Sequence, residues 1–217
     1  MPTPVKPMIH PEKYSRRYHG FTRALRNPSY DEFKRRLTER LGGKLLIFDV
    51  AQMLVERKVR TGEPQFLRAD THWRPGAMEF CAGQLSKFVA RHVPLPKRRM
   101  QWKRRAAVVS NQGDIATMLN MPKGQALFPK EDVRIHQVFT EQDMAWRADE
   151  SADVLLLGDS FSNVYSFDRM GWGFSAGLAE QLSYYMQRRI DRIVRNDDGA
   201  CATRAVLSRQ LATGRDR

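Results

Sequence analysis

Two short segments of this chain hold residues whose types and spacing suit nucleophilic catalysis. Val154-Leu155-Leu156-Leu157 is an apolar run that Gly158-Asp159-Ser160 ends abruptly, the pattern of a buried strand running into a sharp turn. Such a turn can lift a serine hydroxyl off the C-terminal edge of a parallel sheet, where open α/β folds carry their chemistry. A serine there is a weak nucleophile until a base takes its proton. The candidate base is His72, in Asp70-Thr71-His72-Trp73. Asp70 and His72 are two residues apart, so in extended chain their side chains project the same way. Where the local turn lets them meet, Asp70 holds the ring and His72 takes the proton of Ser160, a triad in the chain order Asp, His, Ser. His10, His19, His92 and His136 lack an acidic residue two places before them and an aromatic after. Singly, each feature has an ordinary structural explanation, since Gly, Asp and Ser favour tight turns and helix caps. The combination carries the argument.

The elements that must position these residues follow from the apolar pattern. Helical spacing of Phe33, Leu37 and Leu41 predicts a helix from Tyr30 to Leu41, stopped by Gly42-Gly43. Residues 44–50 read as a buried strand and 51–60 as a helix. Pro75 suits the first turn of a helix running to about His92, with Ala77, Cys81, Leu85, Phe88 and Val89 as its stripe. Strands are expected at 106–110, 133–139 and 190–194, a short amphipathic turn at 115–119, and helices at 174–188 and 202–211. A glycine-rich loop, Met170-Gly171-Trp172-Gly173, follows the serine turn. This alternation predicts an α/β fold with a mostly parallel sheet covered on both faces. The chain has 217 residues, enough for one such domain. The opening loop 2–7 has no strand before it and the last helix has none after it, so the sequence is expected to be a domain, 1–217, cut short at both ends.

The net charge of +13 favours contact with polyanions: nucleic acid, anionic lipid or acidic polysaccharide. The densest run, Lys97-Arg98-Arg99-Met100-Gln101-Trp102-Lys103-Arg104-Arg105, reads as an exposed loop and strand edge. No helix-turn-helix, zinc-finger or RNA-recognition signature accompanies it, so no nucleic-acid partner is expected. Cys81 and Cys201 form no metal-type spacing and leave a disulfide between them undecided; no metal or cofactor is expected. Neither a signal peptide nor an apolar run of membrane-spanning length is expected within these 217 residues.

The chain resembles the alginate O-acetyltransferase family of the AlgJ and AlgX type. The resemblance is carried by Asp70-Thr71-His72-Trp73 with Gly76-Ala77, Gly113-Asp114-Ile115 with Met118-Leu119, and Gly158-Asp159-Ser160-Phe161-Ser162. Pro2-Thr3-Pro4-Val5-Lys6-Pro7 with His10-Pro11-Glu12-Lys13, and Gly177-Leu178-Ala179-Glu180 with Leu182-Ser183-Tyr184-Tyr185, are similar too. It implies an SGNH-hydrolase-like (flavodoxin-like) three-layer sandwich, with Ser160 as nucleophile, His72 as general base and Asp70 as its orienting partner. It implies a periplasmic or cell-envelope protein that moves acetyl groups onto an exported acidic polysaccharide, the donor being delivered by a membrane-bound acyltransferase partner. Oxyanion donors are the Ser160 amide, with Asn163, Asn111, Gly171 or Gly173 as candidates for the second. Trp73 and Arg74 are candidates to line the sugar site; the alternatives are a core tryptophan and a surface arginine. A carbohydrate acetylesterase and a non-catalytic polysaccharide-binding or assembly subunit are the competing functions.

Overall fold

The computed structural model describes residues 1–96, 100–122 and 124–213. Lys97, Arg98 and Arg99 of the basic run lie outside the described residues, as do residues 214–217 of the tail. The chain divides into two compact units, Met1–Phe66 and Leu67–Arg217.

The first unit holds α1 (Lys6–Ile9), α2 (Tyr30–Leu41) and α3 (Ala51–Thr61). Helix α2 has the expected bounds and ends on Gly42 at φ 56°, a conformation glycine adopts without steric cost. Its stripe is not a core face, however: Phe33 is 59% and Leu41 42% exposed, and no residue of α2 is buried. The expected strand at 44–50 is also absent, because an apolar run becomes a strand only where a second backbone takes its N–H and C=O groups. Asp49 works locally instead. It accepts from the Ala51 amide at 3.2 Å, at the start of α3, and takes both Arg26 nitrogens at 2.6 and 3.0 Å.

The second unit holds α4 (Pro75–His92), β1 (Trp102–Asn111), α5 (Asp114–Met118), β2 (Glu131–Thr140), β3 (Leu155–Gly158), α6 (Ser160–Asn163), α7 (Leu178–Met186), β4 (Asp191–Val194) and α8 (Gly199–Ala212). Strands β1 and β2 pair antiparallel, Trp102 opposite Thr140 and Asn111 opposite Glu131. Strands β3 and β4 pair parallel, Leu155 opposite Asp191. The described residues thus hold two sheets of two strands each. Helices α4 and α7 pack on each other and on β2, and α8 covers β3 and β4. Trp102, Val138, Trp146, Ala179, Leu182 and Ile190 form a buried cluster on which Leu156 of β3 also packs, so one core joins the two strand pairs.

Three expectations change here. The run before Ser160 is half-buried rather than buried, with Leu157 45% exposed, since β4 is its only strand neighbour among the described residues. The helix expected from residue 174 begins at Leu178. Ser175 has φ 54° and pairs with β2 instead: its carbonyl accepts from the Val138 amide at 2.7 Å, and its hydroxyl donates to the Val138 carbonyl at 2.7 Å. The basic run continues into β1, where Trp102 is buried and the Arg104 guanidinium lies 3.9 Å from the Tyr184 ring centre. Both cysteines are free, Cys81 buried and Cys201 exposed. Among the described residues no helix is long and apolar enough to cross a membrane.

In the first unit, His10 is buried and its Nε2 accepts from the Gln65 amide at 3.0 Å. The ring proton therefore sits on Nδ1, which donates to Glu12 Oε1 at 3.1 Å. Burial lowers the His10 pKa; the Glu12 hydrogen bond opposes this, while the nearby Lys58 and Lys13 charges add to it. The neutral ring is thus favoured by folding, so its stabilisation is complete above the ordinary value of about 6.5 and is lost as pH falls through the lower folded value. Thermal melts should show wild type losing stability as pH falls below about 6.5, and His10→Gln losing less over the same range.

Candidate active site

Asp70 and His72 lie on the turn between Leu67 and Trp73, closed by the Leu67 amide donating to the His72 carbonyl at 3.0 Å. Both side chains are buried. His72 Nδ1 donates to Asp70 Oδ1 at 2.7 Å, and the His72 amide donates to the same oxygen at 2.9 Å. The other carboxylate oxygen accepts from the Trp172 indole at 2.8 Å and from the Asp114 amide at 3.0 Å. Burial by itself raises the Asp70 pKa, but the hydrogen bonds from the His72 side chain, the His72 backbone and Trp172 outweigh it and hold the group at about 2. Asp70 is therefore an ionised acceptor, and the bond it receives from Nδ1 leaves Nε2 as the ring nitrogen turned away from it.

That Nε2 is buried and has no hydrogen-bond partner among the described residues. The His72 ring packs against the Phe161 ring, centres 5.0 Å apart, and Phe161 directly follows Ser160. Trp73 fixes the same segment, its indole donating to the Phe161 carbonyl at 3.0 Å. Ser160 opens α6, which Asp159 caps by accepting from the Phe161 amide at 3.0 Å. The turn is tight enough that a Cβ on Gly158 would lie 2.3 Å from Ser162 Oγ and 2.7 Å from Ser162 Cβ. Glycine at the end of β3 is therefore what lets the chain fold back so soon after the strand. The dyad and the serine turn come from separate parts of the chain and meet at Phe161, with no Ser160–His72 hydrogen bond among the described residues.

The remaining candidates have mixed placements. Trp73 is fully buried and belongs to the core. Arg74 is paired with Glu131, whose other oxygen accepts from the Arg68 amide at 2.7 Å. Asn111 donates to the Met170 carbonyl at 3.3 Å and accepts from the Gln112 amide at 2.7 Å. Asn163 donates to Asn196 Oδ1 at 3.1 Å. Gly171 and Gly173 flank Trp172, which was not among the sequence candidates although it touches Asp70. Asp114 was also missed as a site residue. Its carboxylate accepts from the Thr71 amide at 2.8 Å and from the Thr71 hydroxyl, and stands 3.6 Å from His72 Nδ1. A fully buried tryptophan needs an acceptor for its N–H, and that was the only available signal for Trp172.

Asp70, His72 and Asp114 offer potential ligand atoms within 4.8 Å of one another. The carboxylate oxygens already face N–H and O–H donors from His72, Trp172, Thr71 and the Asp114 amide. Protons aimed at these oxygens suit a hydrogen-bond network and not a cation shell, which needs lone pairs turned inward.

The family described as the SGNH hydrolase-like domain of acetyltransferase AlgX matches residues 1–190. The chain belongs to this family. A curated relative, the probable alginate O-acetylase AlgJ of Pseudomonas fluorescens, is 30% identical over 159 residues, 70% of this chain and 38% of that protein. The solved O-acetyltransferase domain of Pseudomonas putida AlgJ aligns with a TM-score of 0.60 at 17% identity, covering 85% of this chain and 60% of that one. Pseudomonas aeruginosa AlgX aligns at 0.50 with 12% identity, over 90% and 42%. The SGNH hydrolase-like α/β fold of this chain is thereby established, while the chain spans well under half the length of the curated relative.

The depressed pKa of Asp70 predicts an acid-sensitive component of stability. It is present above the ordinary aspartate value of about 3.9 and is lost as pH falls toward about 2, amounting to about 2 to 3 kcal/mol at about 1.4 kcal/mol per pKa unit. Denaturant melts of wild type and Asp70→Asn should differ by about this amount near pH 5. The gap should close as pH approaches 2.

Proposed function

We propose that this domain transfers acetyl groups to a hydroxyl of an acidic polysaccharide through an acetyl-serine at Ser160. The observation that carries the reading is the buried Asp70–His72 pair, whose unpartnered Nε2 belongs to a ring packed on Phe161, the residue after Ser160. His72 Nε2 takes the Ser160 proton as Oγ attacks the acetyl carbon of the donor, and the imidazolium then gives that proton to the leaving group. In the second half, Nε2 takes the proton of a sugar hydroxyl, which attacks the acetyl-serine, and the proton returns to Ser160 Oγ. Asp70 keeps the ring in the tautomer both halves need and stabilises the imidazolium that forms in each. On this reading the Ser160–His72 hydrogen bond forms when substrate arrives, since catalytic hydrogen bonds commonly align only in the substrate complex. The Ser160 amide serves the oxyanion, with Asn163, Asn111 or Gly173 as second donor; the Gly171 amide is given to the Asp168 carbonyl at 2.8 Å.

The name of the curated relative, an alginate O-acetylase, supports an acidic acceptor, and the chain's net charge of +13 supplies the attracting field. The same reading has the donor delivered by a membrane-bound acyltransferase partner and places the reaction in the periplasm or cell envelope.

Ser160→Ala should abolish turnover of a chromogenic acetyl ester with an unchanged melting temperature. His72→Ala should be nearly as damaging and Asp70→Asn less so, with double variants adding little because the three act as a unit. Retained turnover in folded Ser160→Ala removes the nucleophile.

Acetyl transfer followed by mass spectrometry should favour uronate oligomers over neutral ones at low salt. The preference should shrink once exposed charges are screened within about 8 Å. Release of free acetate with every acceptor would mark an esterase.

A further inference from the structure

We infer that Trp172 is a positioning residue of the proposed reaction, holding the Asp70 carboxylate, together with the Asp114 amide, in the orientation that serves His72. The inference rests on the triad reading above. Of the two Asp70 oxygens, Oδ1 is given to His72, through its Nδ1 at 2.7 Å and its amide at 2.9 Å. Oδ2 points away, to the Trp172 indole at 2.8 Å and the Asp114 amide at 3.0 Å. A carboxylate anchored at one oxygen only can turn about its Cα–Cβ and Cβ–Cγ bonds. Anchored at both, it presents a fixed lone pair to Nδ1, so the imidazole plane and the direction of Nε2 are fixed as well.

The chain around Trp172 is shaped for this placement. The indole is 1% exposed, although the residue sits in a glycine-rich surface loop whose neighbour Phe174 is 45% exposed. Asn111, at the end of β1, holds the loop by donating to the Met170 carbonyl at 3.3 Å. Gly173 takes φ 91°, and a Cβ there would lie 2.6 Å from Ile135 Cδ1 and 3.1 Å from Val109 Cγ1. The backbone thus comes down onto the β1–β2 face directly after the tryptophan, which drives the ring inward toward Asp70. Asn111 and Gly173, both oxyanion candidates from the sequence, have a second and different account as the frame of this loop.

A tryptophan that merely fills space would act on stability alone. One that positions Asp70 acts on kcat, through Asp70 and nothing else. The test uses the full chain and a chromogenic acetyl ester, with Trp172→Phe, which keeps an aromatic ring but loses the N–H, alongside Asp70→Asn and the double variant. Trp172→Phe should lower kcat by about tenfold or more with little change in KM, the range expected when a charged group loses one hydrogen bond. In the Asp70→Asn background the same change should cost less than about twofold, because interacting residues are non-additive. Unaltered kcat in Trp172→Phe, or fully additive losses, overturns the role of Trp172 while leaving the triad standing. No turnover by wild type, or full turnover by His72→Ala, sinks the acetyl-transfer reading itself. Should Trp172→Phe fail to fold, the indole N–H resonance of Trp172 in wild type and Asp70→Asn decides: it should move upfield once the charged acceptor is gone, and an unmoved resonance overturns the proposal.

Discussion

An ionised carboxylate buried away from water is the constraint on which the second unit depends. Removing such a group from solvent costs several kcal/mol unless donors replace the lost hydration. Among the described residues, the donors that do so for Asp70 include two from His72, one from Trp172 and the Asp114 amide. They arrive on three separate stretches of chain. The Asp114 amide lies just past the end of β1, Trp172 comes from the loop between α6 and α7, and His72 lies in the turn before α4. The dyad is therefore complete only when the antiparallel pair and the loop have docked, and a change in either should be felt at His72.

The serine turn is held by a second set of contacts that overlaps the first at Phe161. Its ring touches His72 and its carbonyl accepts from Trp73, so the residue after the proposed nucleophile is tied to two residues of the Asp70–Trp73 segment. Tyr165, fully buried, donates its hydroxyl to the Trp73 carbonyl at 2.5 Å and adds a further link. On the other side, the Gly158 carbonyl accepts from the Thr203 hydroxyl at 2.8 Å, which ties the turn to α8. Such rigid support suits chemistry that needs a few groups held in place more than it needs a deep cavity.

Fold likeness to AlgJ and AlgX at 17% and 12% identity shows the fold, not which atoms act. Folds host many activities, and roles must be argued from the site. Here the proposed function rests on the site's own geometry, a buried Asp70–His72 pair meeting a serine turn.

Local chemistry was enough to determine much of this protein. Pro75 at a helix start and the stripe through Ala77 and Cys81 gave α4 its bounds, because a helix closes its own hydrogen bonds. The two-residue spacing of Asp70 and His72 brought their side chains to one side of a short turn, and Gly158-Asp159-Ser160 marked the end of β3. Tertiary structure decided what depends on a distant partner. The run at 44–50 found no second backbone and is not a strand. Phe33 and Leu41 stayed exposed although their spacing is that of a buried face. Ser175 paired with Val138 and delayed α7 to Leu178. Trp172 joined the site through a single N–H whose acceptor lies 102 residues earlier in the chain. No local pattern encodes that pairing, since it exists only once the loop after Ser160 has closed over the end of β1.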